Sequence, residues 1–106
     1  MNHSEIVDII AQSSKNLFTV EIYYPETDNS PEGWREIEAY SFKPDLDDSD
    51  DFLVYKRDEI SPGHILSAYT LASRNKSRSS FILGKIKKAR RTKRKFQPRN
   101  DWQINF

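Results

Sequence analysis

The chain has 106 residues, 17 Lys/Arg against 16 Asp/Glu for a net charge of +1, no cysteine and three glycines. That length supports one domain around one core. The missing cysteines exclude a disulfide framework, a thiolate metal site and a cysteine nucleophile, and three glycines cannot build a phosphate-cradling or dinucleotide-binding loop.

In chain order, Ser4 precedes EIVDIIAQSSK, where Ile6, Ile9 and Ile10 recur at helical spacing. A helix is expected over about 5–15, capped by Ser4 and plugging one end of a sheet. LFTVEIYY then alternates, with Phe18, Val20, Ile22 and Tyr24 on one side, and predicts a strand over about 17–24. PETDNSPEG is rich in turn formers, and WREIEAYSF resumes a strand over about 34–42. The acidic stretch over about 44–51 reads as a solvated loop. It mimics the first positions of a calcium loop but has Asp50 where glycine is required and Lys56 where a bidentate acid is required. Further strands are expected over about 52–57, 64–72, 79–87 and 101–106. Gly84, inside the fifth, points to a bulge or a close backbone approach.

One helix followed by five or six short strands gives a mainly β fold, a small antiparallel barrel or sandwich in a single domain over 1–106. No apolar run reaches the ~18 residues of a membrane span, and MNHSEIVDII lacks a basic leader, so a cytoplasmic protein with no membrane partner is expected. His3 and His64 lie far apart and share no metal-ligand spacing, and no nucleophile motif occurs. Neither a metal, a cofactor nor enzymatic chemistry is expected.

Charge is divided along the chain. Residues 1–60 hold 15 acids against 5 Lys/Arg, whereas residues 61–106 hold 1 acid against 12 Lys/Arg. The basic half can meet an anionic partner or be neutralised by the acidic half. Its densest stretch, KIKKARRTKRKFQPR over 85–99, fits neither a clean helical nor a clean strand period. Ile86 and Phe96 are expected to anchor its ends in the core, leaving the charges outside. Trp34, Tyr40 and Trp102 could stack on unpaired bases, although aromatics in strands usually face a core.

The order FTVEIYY, REIEAYSF, ILSAY, FILGKI and Thr92-Lys-Arg-Lys-Phe96-Gln-Pro98-Arg99 resembles the WYL-domain family of bacterial regulators over about residues 5–104. Ala39 stands where that family has proline, and its naming tripeptide is His64-Ile65-Leu66 here. Ile82 and Gly84 replace an arginine and an acid, and Arg78 lies three residues before Phe81 rather than two. The resemblance implies an SH3/Sm-like small barrel of five to six strands. It also implies a sensor binding nucleic acid or a nucleotide-like ligand, with Arg35, Arg78, Lys85 and Arg99 as ligand-binding residues.

The expected function is therefore a non-enzymatic regulatory module for an anionic ligand, either single-stranded nucleic acid or a nucleotide. Lys87, Lys88, Arg90, Arg91, Lys93, Arg94 and Lys95 would steer that ligand electrostatically. The alternative is a protein-interaction or homo-oligomerisation module whose basic segment docks an acidic surface.

Overall fold

The computed structural model describes residues 1–28, 30–46, 51–56, 58–71, 78–100 and 102–106. Helix α1 spans His3–Lys15 and is followed by strands β1 (Phe18–Tyr24), β2 (Gly33–Lys43), β3 (Ile65–Thr70) and β4 (Ser79–Ile82). A 3-10 turn, Leu83–Lys85, leads to β5 (Lys88–Lys95). The five strands form one antiparallel sheet in the order β4-β3-β2-β1-β5. The fold is thus mainly β with one N-terminal helix.

The chain order forces this sheet to curl. β4 and β5 lie at opposite edges, yet only residues 83–87 join them. With three of those residues in 3-10 conformation, the link reaches about 16 Å. A flat sheet would separate its edges by four spacings, or about 19 Å. Curling brings the edges together without closing the barrel, since no ladder joins β4 to β5. The Tyr24 hydroxyl instead accepts the Ile82 N–H at 2.9 Å, holding β4 near the end of β1. The strand order and connecting 3-10 turn suit an SH3-like small barrel that remains open.

Helix α1 fills the concave side. Ile6, Val7, Ile10 and Ala11 are buried against Val20, Ile22, Ile37, Phe42, Leu66 and Leu83. Each such aliphatic side chain contributes roughly 1.5–3 kcal/mol by leaving water. The expected β1 alternation holds from Val20 to Tyr24, with Val20, Ile22 and Tyr24 in this core, but Phe18 lies outside it and Thr19 is buried, because the β1–β5 register shifts between Phe18 and Val20. The helix cap differs from expectation. Asn2 takes the role assigned to Ser4, its side-chain oxygen accepting the Glu5 N–H at 2.9 Å, because Glu5 is the third residue beyond Asn2.

Several strand boundaries also change. Among the described residues, the strand expected over 52–57 gives only an isolated bridge between Leu53 and Phe42, and the one expected over 101–106 only a parallel bridge between Asn105 and Ser41. The strand expected over 79–87 stops at Ile82, where the chain must turn to reach the opposite edge. The basic stretch, whose periodicity marked no element, is β5. As an edge strand it inserts Ala89 into the core, and its anchors Ile86 and Phe96 are buried at either end as expected. Much of the acidic loop and the end of the strand expected over 64–72 lie outside the described residues.

Candidate ligand-binding site

The sheet face turned away from α1 carries most of the polar chemistry. The β1–β5 register sets Glu21 opposite Arg90, and β1–β2 pairing sets Glu21 opposite Glu36. Arg90 Nε pairs with Glu21 at 3.2 Å, Arg94 Nε with Glu36 at 3.2 Å and Lys87 Nζ with Glu32 at 3.1 Å. Thr19 donates its hydroxyl to the same Glu36 oxygen at 2.7 Å and also bonds the Thr92 hydroxyl, joining three strands. The acidic half of the chain thus neutralises part of the basic half across β1, β2 and β5. These exposed pairs each contribute little to stability, about 0–1 kcal/mol.

The pair between Arg99 and Glu38 differs because Glu38 is only 6% exposed. Arg99 Nε lies 3.1 Å from Glu38 Oε1, and its guanidinium stacks 3.4 Å from the Tyr69 ring centre. Tyr40 donates its hydroxyl to Glu38 at 2.9 Å and accepts the Arg99 backbone N–H at 3.3 Å. This latch holds residues 96–100 and 102–106 at the outer face. Beneath them Tyr40, Tyr69 and Phe96 form a second core, with Leu71, Trp102 and Ile104 packed against it.

Burial pushes the Tyr40 phenol up from 10 to about 12; the Arg99 N–H opposes the shift and acceptance by Glu38 reinforces it. A phenol that ionises later when folded stabilises the fold fully below pH 10 and loses that contribution between pH 10 and about 12. Ultraviolet titration should show one late-ionising tyrosine that disappears in Tyr40→Phe.

Beside this latch lies an open cavity of about 520 Å³ between the Tyr40–Lys43 end of β2, β3 and the C-terminal segment. Its volume falls within the roughly 300–1,000 Å³ usual for small-molecule sites. Tyr40, Phe52 and Trp102 provide aromatic lining, Asn100, Gln103 and Asn105 provide amides, and Lys43 and Arg78 provide cations beside the Asp51 carboxylate. The Arg78 guanidinium sits 4.5 Å from the Trp102 ring centre. Ser67 lines the same cavity, and its buried hydroxyl has no hydrogen-bond partner among the described residues.

The structure brings only part of the expected ligand set together. Arg78 lines the cavity, and Arg99 reaches it indirectly through Tyr69, whose ring centre is 6.1 Å from that of Trp102. Arg35 is instead engaged elsewhere, donating to the Pro25 and Pro31 carbonyls and stacking on Tyr24. Lys85 is exposed in the 3-10 turn and does not line the cavity. Within the expected steering patch, Lys87, Arg90 and Arg94 are ion-paired, Arg91 and Lys95 lie beside Phe18, and Lys88 and Lys93 are exposed.

Of the three aromatics considered for stacking, Tyr40 is buried, Trp34 is 38% exposed beneath Arg90 at 4.0 Å, and Trp102 borders the cavity. Sequence reasoning missed Lys43, Ser67, Asn100, Gln103 and Asn105, isolated polar residues that no local pattern joins. The histidines lie elsewhere. His3 Nε2 donates to the Ile60 carbonyl at 2.7 Å, and His64 Nδ1 accepts the Ser61 N–H at 3.0 Å. Among the described residues, no group of three or more His, Cys, Asp or Glu could hold a metal, and no helix is long and apolar enough to cross a membrane.

No protein-family model matches the chain, and no curated protein or solved structure matches it.

Proposed function

We propose that this protein is a non-enzymatic binding module of WYL type, sensing a nucleotide or the end of a single-stranded nucleic acid in the cytoplasm. The observation that carries the reading is Arg78 stacked on Trp102 at an amide-lined cavity of about 520 Å³. A guanidinium beside an aromatic ring can pair with phosphate while the ring packs against a base. The cavity amides can meet polar base edges, and the Ser67 hydroxyl offers a further hydrogen-bonding group. The resemblance of REIEAYSF, ILSAY and FILGKI to the WYL family implies the same ligand class.

Calorimetric titration with a mononucleotide and with short oligothymidylate tests the proposal. Arg78→Ala should weaken binding by about tenfold, the loss of one charge-assisted contact. For the oligonucleotide, affinity should fall several-fold as salt is doubled. Absence of binding by both probes at low salt, or an unchanged affinity in Arg78→Ala, would overturn the reading.

A further inference from the structure

The two sides of β5 are neutralised differently. On the outer face, Arg90 and Arg94 pair with Glu21 and Glu36. Arg91 and Lys95 instead converge on Phe18, each 4.6 Å from its ring centre, and among the described residues neither has a carboxylate partner. Lys95 also donates to the Asn16 carbonyl at the helix end at 3.1 Å. Positive charge therefore remains at the corner where α1 enters β1.

Leu17 occupies that corner with two unfavourable properties. It is 36% exposed, and it is the one described non-glycine residue with positive φ, at 62°. Its N–H bonds the Ser14 carbonyl at 3.0 Å, so it directly follows the helix in the left-handed position where glycine or asparagine is usual. A leucine there is conformationally strained and also presents an apolar side chain to water. Local helix termination would be better served by glycine.

We infer that the Leu17–Phe18 corner, with Arg91 and Lys95, docks an acidic segment of a partner protein that carries a large aliphatic side chain. Leu17 meets the aliphatic group, and the cations meet flanking carboxylates. Charge complementarity alone would admit nucleic acid, but the exposed side chain at this corner is the aliphatic Leu17, which offers no ring for a base to stack on. An exposed leucine next to the ring that carries Arg91 and Lys95 offers apolar and cationic contacts side by side, which suits an acidic protein segment with an aliphatic side chain. This surface differs from the cavity, so the two readings stand or fall separately.

Fluorescence anisotropy with three labelled probes tests the inference. They are a short Asp/Glu peptide with a central Leu-Leu pair, the same peptide with Gln-Gln, and an oligothymidylate of equal charge. The Leu-Leu peptide should bind about tenfold more tightly than either other probe. Leu17→Gly should raise the melting temperature by a few degrees through relief of strain while weakening peptide binding about tenfold. Leu17→Asn serves as the second variant, and Arg91→Glu should abolish binding while retaining the fold. Equal affinity for the three probes, preference for the oligothymidylate, or unchanged peptide affinity in folded Leu17→Gly and Leu17→Asn would overturn the inference. Concentration-dependent mass by light scattering that Leu17→Gly abolishes, without Leu-Leu peptide binding, would assign the corner to a second copy and also overturn it.

Discussion

Arg99→Leu should destabilise the protein by about 2–3 kcal/mol, because it strands the Glu38 carboxylate at a position only 6% exposed. The cost comes mainly from the remaining buried charge, since Arg99 itself is partly solvated. Glu38→Gln should therefore cost less, about 1 kcal/mol, because glutamine retains an acceptor for the Tyr40 hydroxyl and leaves Arg99 able to reach water. The double variant should be more stable than Arg99→Leu alone. Urea unfolding of the four proteins measures this coupling. A double variant less stable than Arg99→Leu would show that the latch does not act through the Glu38 charge. Tryptophan emission supplies a local readout, because Trp102 packs 4.5 Å from Tyr40 between ring centres and should become more exposed when the latch weakens.

Gly84→Ala should cost a further independent 2–3 kcal/mol, roughly the upper range for overpacking. An added Cβ would lie 2.8 Å from Pro62 Cβ and 2.9 Å from the Pro62 carbonyl oxygen. The Gly84 N–H also donates to that carbonyl at 2.8 Å, so relief of the clash would weaken the bond between the two backbones. Gly63→Ala is the internal control. Its nearest atom would be Ser61 Oγ at 3.7 Å, ordinary packing distance, and the change should stay within about 0.5 kcal/mol. Thermal unfolding distinguishes the two positions. Equal stability would remove the assigned role of Gly84 in holding the 3-10 turn against Pro62.

Elements with strong local patterns were readily legible. The alternation of FTVEIYY predicted that Val20, Ile22 and Tyr24 enter the core, though not that Phe18 stays outside it, and the isoleucines of α1 marked its buried face. Gly84 correctly signalled a close backbone approach. β5 was obscured because its core-facing contribution is chiefly Ala89, whereas its long basic side chains satisfy partners on other strands or reach water. The apparent strands at 52–57 and 101–106 had suitable composition, but among the described residues each makes only a single bridge to β2, beyond the part of that strand that pairs with β1. The cavity was less legible still: Lys43, Ser67, Arg78 and Asn105 lie on separate segments and share no spacing that sequence can reveal.

By itself, the sequence determined a mainly β chain with an N-terminal helix, an uneven charge distribution and two apolar anchors around a basic run. Those properties follow from composition and local periodicity. Tertiary structure decided which charges meet, converting Arg94–Glu36 and Arg99–Glu38 into pairs while leaving Arg91 and Lys95 beside Phe18. It also decided that the short β4–β5 link curls the sheet and that the returning C-terminal segment encloses a cavity. Strand register and side-chain burial bring residues together across long separations, and neither is encoded by the spacing of residues within one segment.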